Sequence, residues 1–148
     1  MKLIIDADAC PKMVLACSLR LANQSGIAVI TVANFNHVLE SPQHIIVGDN
    51  PQEADLAIAN LTCAGDVVIT QDWGLAALVL AKAARCIHPS GWEYHQQSMD
   101  FMLEERELKA KFRRGGNRLK GPRKRSVRED EAFCALLRQL LLPDRPEA

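Results

Sequence analysis

No apolar run in the chain approaches the roughly 20 residues that span a bilayer. A charged-then-apolar secretory leader is also missing, since acidic residues follow directly after Ile5. A cytoplasmic protein is therefore expected. No C-x-x-C pair occurs among the five cysteines, at 10, 17, 63, 86 and 134, so neither a disulfide framework nor a zinc site is expected. Cys17, Cys63 and Cys134 lie in apolar helical patterns and read as small, free core residues. The absence of G-x-G-x-x-G after the first strand pattern argues against a dinucleotide site, and no elbow motif supports a Ser/His/Asp triad. His37, His44 and His95 fall in no metal-ligand spacing.

Net charge is absent too, but that zero conceals a split. Residues 1–99 carry five Lys and Arg against nine Asp and Glu, a net of −4; residues 100–148 carry thirteen against nine, a net of +4. Within 106–128, eleven basic residues accompany one acid, Glu107. Such asymmetry is the footprint of a polyanion partner, with a solvated basic face as the plainer alternative.

What is present is an alternation of strand and helix patterns. With 148 residues, 48% of them hydrophobic, the chain suffices for one domain with a sizeable core. Strand patterns fall at 2–6, 27–33, 44–48, 66–70 and 85–88, and helical ones at about 11–24, 51–63 and 72–84. Strands separated by such helices form a parallel sheet covered on both faces. After "HPSGW" come a charged helix at about 96–113, a basic glycine-containing loop and a last helix at about 127–142. Ser126 and Glu129 open that last helix as a capping box, with Phe133, Leu136, Leu137 and Leu140 facing inward. The expected architecture is α/β: three layers around a mostly parallel sheet of about five strands. Residues 1–95 would form the core of this single domain, and 96–148 a basic helical extension packed on it.

"LIIDADACP" sets Asp6 and Asp8 at the end of a buried apolar strand, where a carboxylate is costly unless it meets a cation or donors. In an open parallel sheet, ligands bind beyond the carboxyl ends of the strands, where strand order reverses. Asp72 ends "VVITQD", Asp49 follows "HIIVG", and Asp55 lies in about the first turn of the next helix. Capping or dipole compensation accounts for Asp55 or Asp72 taken singly. Converging carboxylates would instead raise each other's pKa unless a cation sits among them, and an all-oxygen set suits Mg²⁺ or Mn²⁺. Asp6, Asp8, Asp55 and Asp72 are thus candidate metal ligands, with Asp6 and Asp72 as candidate catalytic residues. Cys10 abuts them, but neighbouring carboxylates disfavour its thiolate and no His lies close in sequence.

The stretches "IIDADACP", "EADLAIA", "DVVITQDWGLA" and "GNRLKGP", with the final Phe-containing helix, together resemble the YaiI/YqxD family of uncharacterised bacterial proteins over nearly the whole chain. That family is similar in turn to PIN-type nucleases. These carry an Asp after the first strand, an Asp early in a middle helix and an Asp after a "T-x-D" strand end. Asp6, Asp55 and Asp72, with Thr70, match those positions; a further acid of an intermediate helix has no assigned match, and Asp8, Asp49 or Glu53 would substitute. "IIDADA" also resembles the D-x-D motif of haloacid-dehalogenase-type phosphatases, and "IIVGDNPQEAD" their later metal motif. That reading lacks its lysine: none follows "ITVA" before residue 48, and Lys82 comes too late.

In the basic segment, Arg113, Arg114, Arg118, Arg123, Lys124 and Arg125 are candidate phosphate contacts, with Gly115, Gly116 and Gly121 allowing close backbone approach. Phe112 alone makes no stacking platform. Trp73 is expected to pack, and His88 to reach the edge of the site at most. Together with the resemblance, these residues imply a Mg²⁺- or Mn²⁺-dependent, nuclease-like hydrolase of phosphodiesters, with single-stranded RNA as the favoured partner. A nucleic-acid-binding module without turnover and a phosphatase are the alternatives.

Overall fold

The structure, a computed structural model, describes residues 1–8, 10–34, 43–48, 50–116 and 124–142. Among the described residues, eleven elements follow one another: β1 (Lys2–Asp6), α1 (Lys12–Ser25), β2 (Ala28–Asn34), β3 (His44–Val47), α2 (Pro51–Leu61), β4 (Val67–Ile69), α3 (Trp73–Ala81), β5 (Arg85–His88), β6 (Trp92–Tyr94), α4 (Gln96–Arg114) and α5 (Val127–Leu141). The strands form one sheet in the order β3-β2-β1-β4-β5-β6. β1 to β5 run parallel, and β6 returns antiparallel to β5. The sixth strand adds to the five expected. It is three residues long, and Gly91 makes its turn possible: φ is +94°, and a Cβ there would meet the Phe133 amide at 2.6 Å.

Local chemistry sets the helix ends. Gly26, at φ +70°, stops α1 in the left-handed conformation that residues with a Cβ avoid. The Asn50 side chain accepts the Gln52 N–H at 3.0 Å ahead of Pro51, opening α2. Ser126 accepts the Glu129 N–H at 3.4 Å and opens α5, which is the N-cap half of the expected box; the Glu129 carboxylate accepts the Ser90 hydroxyl at 3.0 Å.

Alternation along the strands builds two cores. Leu3, Ile5, Val67, Ile69 and Ile87 face α1 and α5; Ile4, Val68 and Cys86 face α2 and α3. Phe133, Leu137, Leu140 and Leu141 are buried on α5, so the last helix completes a layer of the sandwich. Each such side chain withdrawn from water contributes about 1.5–3 kcal/mol. At the amino end of the sheet Asp66 is buried and accepts the Lys2 N–H at 3.0 Å and the Cys63 N–H at 2.8 Å, with the Lys2 ammonium at 2.5 Å. Burial alone would raise that carboxyl, but these donors hold it below its ordinary range.

Two cysteine expectations need correction. Cys17 of α1 and Cys134 of α5 are paired at disulfide spacing, with Cα atoms 6.2 Å apart. They are 117 positions apart, and only the docking of α5 on α1 brings them together. Cys63 is exposed, not buried, because it follows the end of α2 at Thr62. Among the described residues, no helix is long and apolar enough to cross a membrane.

Candidate carboxylate cleft

β1 pairs with β2 on one side and β4 on the other, so the strand order reverses at the carboxyl end of β1. Asp6 is the last residue of β1. The Ala7 N–H still donates to the Val32 carbonyl at 2.8 Å, which carries the ladder one residue further and turns Asp8 toward the end of β2. The Asp8 carboxylate accepts the Asn34 N–H at 3.1 and 3.3 Å. Thr70 follows β4 and is buried. Its hydroxyl donates to Asp6 Oδ2 at 2.9 Å and accepts the Asp72 N–H at 3.0 Å.

Asp72 is the N-cap of α3: its Oδ1 accepts the Leu75 N–H at 3.1 Å. The capping role thus holds for this residue, while its carboxylate also lines a cleft with the others. Asp55 is different. It is the fifth residue of α2, beyond the first turn where Glu53 lies, so neither capping nor first-turn compensation accounts for it. Asp6, Asp8, Asp55 and Asp72 line one cleft of about 280 Å³, together with Asn34, Asn50 and Ala54. Asp49 lies outside the described residues.

The cleft's electrostatics follow from burial and crowding. Burial, with the charges of Asp55, Asp8 and Asp72, pushes the Asp6 carboxyl up to about 6, against the pull of the Thr70 hydroxyl. Burial also raises Asp55 to about 6, helped by the charge of Asp72, a hydrogen bond to it and the charge of Asp8. Cys10 is pushed up to about 12 by burial and by Asp6, so it stays a thiol and supplies no nucleophile.

The donor set is all oxygen, which fits a hard divalent cation. No three carboxylate, thiol or imidazole groups among the described residues stand at mutual chelating distance. An ion held here would take fewer direct protein ligands and keep waters, as Mg²⁺ commonly does. Asn34 and Asn50 are site residues that sequence reasoning missed. Their signal was position alone: Asn34 ends the strand beside β1, and Asn50 caps the helix that carries Asp55.

The basic residues divide. Arg113 faces Trp73 and Trp92 across a neighbouring cavity, whereas Arg114 lines another depression with Glu104, Glu107 and Lys111. Arg125 is tied inward: it donates to Asp130 at 2.6 Å and to the Pro89 carbonyl at 2.8 Å. Lys124 is exposed, and Arg118 and Arg123 lie outside the described residues. Trp73 packs against the α2–α3 core, as expected, and also carries the Arg106 guanidinium 5.0 Å from its ring centroid. His88 stacks on Trp92 with centroids 4.5 Å apart, and its Nδ1 accepts the Ser90 N–H at 2.9 Å.

The family model described as "Uncharacterized BCR, YaiI/YqxD family" matches residues 4–143, a span that runs from β1 past the end of α5. The chain belongs to the YaiI/YqxD family. Among its relatives, a UPF0178 protein of Heliobacterium modesticaldum is 53% identical over 141 residues, covering 95% of this chain and 97% of its own. Another, from Clostridium acetobutylicum, is 42% identical over 146 residues, covering 96% and 97%. A third, from Staphylococcus saprophyticus, is 40% identical over 126 residues, covering 82% and 80%. No solved structure gives a significant match. The YaiI/YqxD match spans every strand of the sheet but Lys2 and Leu3 of β1, so Asp6, Asp8, Asp55, Thr70 and Asp72 all fall within it.

Proposed function

We propose that the chain is a divalent-cation-dependent hydrolase of phosphodiesters, with single-stranded RNA as its favoured substrate. The observation that carries this reading is the convergence of Asp6, Asp8, Asp55 and Asp72 on one cleft at the point where strand order reverses. Two of these carboxyls are raised to about 6 by burial and by their neighbours, an arrangement that a cation would relieve. Asp6 and Asp72, braced through Thr70, would hold a Mg²⁺ or Mn²⁺ ion with Asp55 and Asp8 beside them. A bound ion supplies an activated water and stabilises developing charge on the phosphoryl oxygens. Thr70 fixes the direction of the Asp6 carboxylate, and the Asn34 amide fixes that of Asp8. Arg113, Arg114 and Lys124, with Arg118 and Arg123, are the residues to hold the phosphate backbone.

A second reading, a nucleic-acid-binding module without turnover, is favoured by the lack of a preformed three-ligand group among the described residues. A phosphatase reading gains no support, because Lys82 sits at the C-cap of α3, the end of that helix away from the cleft, and its ammonium donates to the Ala59 carbonyl of α2. Incubating purified protein with end-labelled single-stranded RNA, with and without Mn²⁺, decides between the first two. Cleavage that requires Mn²⁺ and vanishes in Asp6→Asn supports the hydrolase; tight binding without cleavage under any divalent metal supports the module.

A further inference from the structure

The chain has two tryptophans and one tyrosine, and all three line a single cavity of about 660 Å³. Trp73 comes from the start of α3 and Trp92 and Tyr94 from β6, with His88 of β5 stacked on Trp92 at an interplanar angle of 10°. The opposite wall is α4, which brings Arg106 over Trp73 and adds Arg113. Lys109, on the same wall, is neutralised by Glu105 at 3.3 Å. Among the described residues, no carboxylate pairs with Arg106 or Arg113. Trp92 lines the cavity with 38% of its surface exposed. Flat π faces beside unneutralised guanidiniums are the chemistry that holds a base and its phosphate together.

The cavity also adjoins the carboxylates. Gln71 and Trp73 line it, while Asp72 between them lines the cleft. Thr70 serves both: its hydroxyl holds Asp6, and its carbonyl accepts the Tyr94 hydroxyl at 3.1 Å. The volume suits one nucleotide, within the about 300–1,000 Å³ of small-ligand sites. We propose that this cavity is a nucleotide subsite, in which an unpaired base of a single strand stacks on Trp92 while its phosphate meets Arg106 and Arg113. The assignment to a strand rests on the phosphodiester reading of the neighbouring cleft; the aromatic and basic lining itself does not. Base stacking of this kind requires the nucleotide to be out of a duplex, so the subsite selects single strands.

Binding measured in EDTA, where the cleft has no metal, isolates the subsite from chemistry. Adenosine monophosphate should quench tryptophan fluorescence saturably, whereas inorganic phosphate at the same concentration should not. A fluorescein-labelled 12-residue oligoribonucleotide should bind more tightly than adenosine monophosphate, and at least about tenfold more tightly than the same strand annealed to its complement. Trp92→Ala should weaken the single strand about tenfold, the size expected for one stacked base. Trp92→Phe should recover most of that loss, which separates stacking from a folding defect. Absence of quenching, an unaffected Trp92→Ala, equal affinity for the duplex, or tighter binding of the mononucleotide than of the strand would each overturn the subsite. If binding follows this pattern but no metal supports cleavage, the subsite stands and the hydrolase reading falls. Cleavage with Trp92→Ala binding normally gives the converse.

Discussion

The Thr70 hydroxyl donates to Asp6 Oδ2 at 2.9 Å while accepting the Asp72 N–H at 3.0 Å, so one buried side chain connects the ends of β1 and β4. Thr70→Val keeps the shape and removes the donor. It should cost about 1–3 kcal/mol, the usual result of leaving a buried polar group short of a partner. Because the hydroxyl pulls the Asp6 carboxyl downward, its loss should move that carboxyl further above 6. Carboxyl-carbon NMR titration of wild type and variant measures the shift directly.

Burial of Asp6, with the crowding of carboxylates around it, should appear as a pH-dependent stability. Asp6 titrates at about 6 in the folded chain, against about 4 for an unfolded Asp. The folded state therefore holds its proton more tightly. The Asp6 contribution to stability is fully present below about pH 4 and is lost, by about 2–3 kcal/mol, as pH rises past 6. Asp66 has the opposite sign: its lowered carboxyl stabilises above the unfolded value and loses that contribution in acid. In EDTA, chemical denaturation of Asp6→Asn should show greater stability than wild type at pH 7.5 and none of that advantage at pH 4.

The salt dependence of single-strand binding should count the phosphate contacts. Each one displaces condensed counterions, so log affinity falls with log salt by about 0.7 per contact. Arg113 and Arg114 lie on different sides of α4, and replacing both by Ala should flatten the slope by about one to two units whatever the base sequence. Their exposure predicts stability unchanged within about 0.5 kcal/mol. An unaltered slope would make this helix a solvated face.

The turn into β6 should be intolerant of a side chain. At Gly91 an added Cβ would meet the Ala132 carbonyl carbon at 2.7 Å and the Phe133 amide at 2.6 Å, on a backbone at φ +94°. Strain and forced repacking together put Gly91→Ala at about 2–5 kcal/mol. Gly26 also has a positive φ, +70°, but open space around it, and Gly26→Ala should cost only about 1 kcal/mol. Thermal unfolding of the two variants separates crowding from backbone strain.

Much of the fold was legible because local chemistry agreed with it. β-Branched runs marked the parallel strands, while Pro11, Pro51, Gly26 and the Ser126–Glu129 box marked helix ends within a few residues. β6 was not legible, since Trp92–Tyr94 is too short to show alternation and depends on β5 and the close approach of α5. The Cys17–Cys134 pairing and the gathering of Trp73, Trp92 and Tyr94 are likewise products of long-range packing that no spacing encodes. The carboxylates were legible for a different reason. Parallel topology sends every strand's carboxyl end to one edge, so an Asp at each end of two adjacent strands meets the other there.

The central claim, that the carboxylates share a divalent ion, is tested most directly by anomalous diffraction from crystals of the protein soaked in millimolar Mn²⁺. The account predicts one or two anomalous peaks in the cleft, within coordination distance of Asp6 and Asp72 and close to Asp55, and none in Asp6→Asn crystals soaked alike. A cleft free of anomalous density in the wild type, with the four carboxylates positioned as in metal-free crystals, would contradict it.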